Sequence, residues 1–214
     1  MAYSPTGVLL RLLTYNIHKC LGGMDGTFQP RRISDTIARH EPDVVLLQEV
    51  AEGTRHSPAR QVDLIGDLLG MRHRAYAAHA KVLGGGRYGN AMLSRHPIRY
   101  TRLIELAMPL AKRRGVLHAH CDVRGRSVHL FNVHLGLAHF LRVRQLRRFL
   151  QSRPLVDLDP REPVILAGDF NDVGARLSRK HLEPAGFRPM PRKLRTFPSW
   201  APIHFRQALC RVRA

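Results

Sequence analysis

Short apolar runs that each end on a polar side chain recur along this sequence, and they restrict the fold more than any other feature. Val8-Leu9-Leu10-Arg11-Leu12-Leu13-Thr14-Tyr15 ends at Asn16, and Val44-Val45-Leu46-Leu47-Gln48 ends at Glu49. Val128-His129-Leu130-Phe131-Asn132-Val133 ends at His134, and Val164-Ile165-Leu166-Ala167-Gly168 ends at Asp169, with Asn171 two residues on. Runs this short, rich in β-branched residues, predict buried strands. In α/β proteins reacting groups collect where strands give way to loops. Four such endings that carry carboxylates, carboxamides and an imidazole exceed what core packing needs.

The intervening segments complete an α/β pattern. Pro30 opens a helix expected to run to about His40, with Ile33 and Ile37 one turn apart. Pro42 stops it, and a strand over 43–49 follows. A helix is expected near 60–69 on Val62, Ile65, Leu68 and Leu69, ended by Gly70. Residues 73–80, 88–95, 98–106, 115–123 and 126–134 read as extended, and 138–151 as a basic amphipathic helix. A strand over 163–168 and a helix near 174–182 complete the pattern. A run of strands bracketed by helix-strand units predicts two packed sheets with helices outside.

The 214 residues suit one domain. No apolar stretch nears the roughly 20 residues needed to span a bilayer. No basic-then-apolar leader opens the chain, and Cys20, Cys121 and Cys210 are scattered, so a cytoplasmic setting is expected. The net charge of +19 suits a polyanionic partner, nucleic acid or an anionic lipid surface. The alternative is genomic base composition, since only 5 of the 35 basic residues are lysine. The sequence leaves the oligomeric state open.

The polar endings suggest phosphate chemistry. Glu49 is a hard oxygen ligand for Mg²⁺ or Mn²⁺, and the Asn16 carboxamide can help to position the ion. Asp169 can orient or deprotonate a water. Asn171 falls on the same face of an extended segment. His134 can donate a hydrogen bond or a proton to a phosphoryl group. Each has a plainer alternative: a turn-forming Asn, a solvated strand end, a helix cap at Asp169, a structural histidine.

Taken together and in order, Tyr15-Asn16-Ile17-His18, Leu47-Gln48-Glu49-Val50, Tyr88-Gly89-Asn90-Ala91, Asn132-Val133-His134-Leu135 and Gly168-Asp169-Phe170-Asn171 closely resemble the endonuclease/exonuclease/phosphatase family. The resemblance runs from about residue 10 to about residue 200. It implies a four-layer α/β sandwich, in which helices flank two mixed sheets, and a divalent-metal-dependent phosphoesterase. It makes Asn16 and Glu49 metal-site residues and His134, Asp169 and Asn171 catalytic. Tyr88, Asn90 and Arg114 become phosphate contacts, with a core aromatic and a solvated basic turn as the plainer readings of Tyr88 and Arg114.

The resemblance fades after Thr196-Phe197-Pro198-Ser199-Trp200-Ala201-Pro202-Ile203. Family members carry an Asp-containing strand and then an Asp-His pair, yet no acidic residue follows Glu183 here and His204 has no carboxylate near it in sequence. The expectation is a family domain over 1–203, incomplete at its C-terminal strands, followed by a divergent basic tail over 204–214 that arose by a frame change or an unrelated ending. The expected activity is impaired hydrolysis of a phosphodiester in nucleic acid or a lipid headgroup. The alternatives are a phosphomonoesterase acting on a small molecule and a non-catalytic polyanion-binding remnant of the fold.

Overall fold

The computed structural model describes residues 10–172, 175–189 and 208–211, the last four by backbone alone. The first sheet has the order β1-β2-β4-β3. Its strands are β1 (Leu12–Asn16), β2 (Val44–Glu52), β3 (His73–Lys81) and β4 (Arg87–Ser94). β1 pairs parallel with β2, and the other pairings are antiparallel. The second sheet, β5-β6-β7-β8-β10-β9, contains β5 (Ile98–Glu105), β6 (Gly115–Val123), β7 (Arg126–His134), β8 (Val164–Asp169), β9 (Arg188–Pro189) and β10 (Ala208–Arg211). There β7 and β8 run parallel. Both sheets are mixed, as expected.

Strand alternation divides the apolar residues into three buried layers. Val44 and Leu46 of β2 meet Leu117, Ala119 and Leu130 of the second sheet in the inter-sheet core. Val45 and Leu47 point the opposite way, under α1 (Pro30–Ala38) and α2 (Gln61–Leu68), where Ile33, Ile37, Val62 and Ile65 cover them. On the outer face of the second sheet, Val116, Phe131 and Val133 pack beneath Leu146 and Phe149 of α3 (His139–Leu150) and Leu155 of α4 (Arg153–Val156). Each such side chain stabilises the fold by about 1.5–3 kcal/mol on burial. The result is the four-layer sandwich, helix-sheet-sheet-helix. Among the described residues no helix is long and apolar enough to cross a membrane.

Three expectations need correction. The strand over 163–168 ends on Asp169, and the helix near 174–182 is a wide π-type turn over Ser178–Leu182. Its cap is Asp172, whose two carboxylate oxygens accept from the Leu177 and Ser178 amides at 3.1 and 3.0 Å, so Asp169 is free of that duty. The C-terminal strands expected to be missing are present in part. Residues 208–211 pair antiparallel with β8 and with Arg188–Pro189. The exposed edge of β8 needs partners for its amides and carbonyls, and a short stretch of a basic tail satisfies them as well as any other backbone does. Thr196–Ile203 and His204 lie outside the described residues.

Candidate active site

β1 and β2 run side by side in one sheet, β7 and β8 in the other, and all four finish at the same end of the sandwich. A hydrogen bond across the sheets establishes this: Asn16 Nδ2 donates to Asp169 Oδ2 at 3.1 Å, although 153 residues separate them. His134 Nε2 stands 3.9 Å from the same oxygen. The other Asp169 oxygen accepts from the Asn171 amide at 3.0 Å, which fixes the carboxylate plane. Gly168 makes this approach feasible. Its φ is +141°, and a Cβ there would lie 2.0 Å from the Val133 carbonyl oxygen.

Glu49 reaches the site through a bulge. The β2–β4 register breaks between Leu47 and Val50, and Glu49 sits at φ +56° within the break. For a non-glycine residue this left-handed conformation is costly and persists only when its surroundings enforce it. Those surroundings are buried amides. Asn132 Nδ2 donates to the Leu47 and Ala91 carbonyls at 2.8 and 2.9 Å, and Gln48 Nε2 donates to Asn132 Oδ1 at 2.7 Å. The Glu49 carboxylate then meets Lys19 Nζ at 2.5 Å. Burial disfavours its charge, but the hydrogen bond and attraction from Lys19, with help from His134 and His18, outweigh burial and leave the carboxyl more acidic than usual.

Tyr88 and Arg114 form the third wall. Arg114 Nη1 donates to the Tyr88 hydroxyl at 3.3 Å, and both side chains are buried. Lys19 and Lys112 place their ammonium groups 5.5 and 5.1 Å from the Tyr88 ring centre. His134 is pushed down to about 3, chiefly by burial and then by Arg114, so its ring is neutral. Its Nδ1 and the Arg114 Nε are buried with no hydrogen-bond partner. Buried polar atoms without a partner are costly to keep in a fold.

The structure thus brings together Asn16, Glu49, Tyr88, Arg114, His134 and Asp169. Asn90 and Asn171 line the same region but are occupied otherwise. Asn90 Nδ2 donates to the Gly115 and Asn132 carbonyls, both at 3.0 Å, so its amide protons brace the two sheets and only its oxygen is left for a ligand. Asn171 is not extended: φ is +49°, and its Nδ2 donates to the Leu135 carbonyl at 2.9 Å, holding the loop after His134. Sequence reasoning overlooked Lys19, Gln48 and Asn132. Lys19 follows the first polar strand end by three residues, but nothing in one dimension pairs it with Glu49. Gln48 and Asn132 sit inside apolar runs, and a buried polar side chain in such a run was the available signal.

As a metal cradle the donors are few. Among the described residues no three His, Cys, Asp or Glu side chains converge as a metal centre. Glu49 and the Asn16 oxygen are hard donors, and a sparse set of this kind suits Mg²⁺ or Mn²⁺, which keep several waters, better than a fully ligated zinc site.

The chain is thus a two-sheet α/β sandwich that gathers carboxylates, an imidazole and cations at its strand ends. The sequence model of the Endonuclease/Exonuclease/phosphatase family matches residues 13–212, and the chain belongs to that family. The family implies hydrolysis of phosphate esters, and the match extends through the segment that sequence reasoning had set apart as a divergent tail. The Escherichia coli K12 protein YbhP is 30% identical over 208 residues, covering 90% of this chain and 81% of that protein. An endonuclease/exonuclease/phosphatase from Beutenbergia cavernae superposes with a TM-score of 0.75 at 24% identity, covering 94% of this chain; the chain spans only 64% of that structure. The mannosyl-6-phosphatase of Bacteroides thetaiotaomicron superposes at 0.70 with 14% identity, covering 94% and 85% of the two chains. Sphingomyelinase C from Streptomyces griseocarneus superposes at 0.68 with 19% identity, covering 94% and 83%.

Proposed function

We propose that the chain is a divalent-metal-dependent phosphodiesterase acting by direct water attack. The observation that carries this reading is the meeting of Asn16, Glu49, His134 and Asp169 from four separate strands. The Asp169 carboxylate, oriented by Asn16 and the Asn171 amide, aligns a water and accepts its proton as the water attacks phosphorus. His134, neutral and buried, donates a hydrogen bond to a non-bridging oxygen. Arg114 and the two lysines supply fixed positive charge where negative charge accumulates. Glu49 and Asn16 would hold Mg²⁺ or Mn²⁺, which when bound polarises a phosphoryl oxygen. The ester bond then breaks and the leaving oxygen departs.

The test is hydrolysis of bis-p-nitrophenyl phosphate, with p-nitrophenyl phosphate as the monoester comparison, in Mg²⁺ or Mn²⁺. Ion-dependent diester turnover should fall about 10²–10⁴-fold in Asp169→Ala. Turnover that ignores the ion or survives the substitution contradicts the mechanism. A preference for the monoester moves the substrate class to phosphomonoesters. Salt-sensitive DNA binding without cleavage identifies a binding remnant of the fold.

A further inference from the structure

The large apolar side chains exposed on this molecule are unevenly placed. Of eight among the described residues, five lie at the end of the sandwich that carries the site, four on loops and Phe140 in the first turn of α3. Met24 follows β1 and is 104% exposed, Leu83 tips the β3–β4 hairpin at 103%, and Leu110 tips the β5–β6 loop at 111%. Leu137 and Phe140 come three and six residues after His134 and are 77% and 62% exposed. Strand register fixes the common end: Lys81 and Glu52 both flank Arg87, Glu105 opposes Gly115, and Val116 opposes Val133. The other three, Leu64, Tyr100 and Val156, sit on α2, β5 and α4, and none is more than 62% exposed.

Basic side chains stand among these tips. Lys81, Lys112 and Arg113 are exposed and make no ion pair among the described residues. Of the carboxylates nearby, Asp25 pairs with Arg32 at 2.9 Å and Glu52 with Arg87 at 3.8 Å, and the exposed Glu105 is outnumbered by Lys81, Lys112 and Arg113. Separate apolar tips ringed by cations match a bilayer interface, where side chains enter the acyl boundary and ammonium and guanidinium groups meet anionic headgroups. A nucleic-acid backbone would engage the cations but offers no apolar phase for fully exposed aliphatic tips such as Leu83 and Leu110, which a bilayer supplies. We infer that this end of the sandwich is a membrane-docking surface that seats the site against an anionic lipid bilayer. The surface surrounds the site of the proposed activity, but docking does not require turnover.

The experiment is flotation of the full chain in EDTA with phosphatidylcholine vesicles, with and without phosphatidylglycerol. The expected result is flotation on the phosphatidylglycerol vesicles that weakens by about tenfold or more in a Leu83→Asp/Leu110→Asp double variant. Val156→Asp, at another surface, should float like the parent. Both tips are fully exposed, and an unchanged thermal midpoint confirms folding. Failure of the parent to float overturns the proposal. So does a double variant that floats as well as the parent, which reduces binding to charge alone, or a dimer in sedimentation velocity that the double variant dissolves in the absence of flotation. Because no hydrolysis is read, an Asp169→Ala chain should float normally, which separates failure of docking from failure of the catalytic reading.

Discussion

Lys19 changes the meaning of Glu49. A carboxylate held in a strained bulge is matched by one ammonium group at 2.5 Å, and both side chains are mostly shielded from water. Removing the ammonium leaves a buried charge without a counter-ion, which costs about 1–3 kcal/mol. Lys19→Met is therefore expected to lower the urea midpoint in EDTA, and added Mn²⁺ should restore more stability to the variant than to the parent. Equal restoration in both would speak against Glu49 as a metal ligand. Asp169 shows the same economy at a single residue: one oxygen receives Asn16 and the other the Asn171 amide. The Asn171 amide is two residues on and belongs to the Gly-Asp-Phe-Asn motif itself, whereas Asn16 is 153 residues away, so only that half of the orientation belongs to the fold.

At the level of elements, β2 and β7 are joined by a buried carboxamide link rather than by apolar contact alone. Asn132 is fully buried in β7 and donates to two carbonyls of the first sheet, one of them at the β2 bulge. Asn132→Ala takes the buried donor from the Leu47 and Ala91 carbonyls at about 1–3 kcal/mol each, while Gln48 Nε2 keeps Thr14 Oγ1 and the Leu46 carbonyl. We expect a loss of about 2–4 kcal/mol in denaturant unfolding, because partial relaxation recovers some of that sum. A loss under ~1 kcal/mol would show that water or repacking replaces the link. The strands β3 to β7 agree with their expected bounds to within a residue or two, since alternation and turn residues are local signals. The bulge was not legible, because it depends on an amide 84 residues away from Gln48. The C-terminal strand was missed because its pairing is driven by the open edge of β8 and not by its own composition.

For the molecule as a whole, buried imidazoles set the response to acid. Burial, reinforced by neighbouring cations, pushes His79 down to about 4 and His118 and His134 to about 3. Arg114 acts on His79 and His134, with Glu49 opposing it on both. His129, His120 and Arg102 act on His118. The unfolded chain protonates near the ordinary value of 6.5, so it binds more protons than the fold between that value and the depressed ones. Stability is fully present above the unfolded value and drains as pH falls toward the folded ones, and Glu49, also depressed, acts in the same direction. Urea midpoints measured from neutral pH downward should decline through this window; a flat profile would show that these rings reach solvent.

The sequence by itself determined the layered α/β architecture, the order of β1 to β8 and of α1 to α3, and the identity of the polar strand endings, because each is encoded by local periodicity and residue chemistry. The tertiary structure alone decided that Asn16 would touch Asp169, that Lys19 would hold Glu49, that Asn90 and Asn171 would brace rather than donate outward, and that the exposed apolar tips would share one end. Those outcomes depend on which strands lie beside each other across two sheets, and contacts over such chain separations are chosen by packing, not by neighbours in sequence.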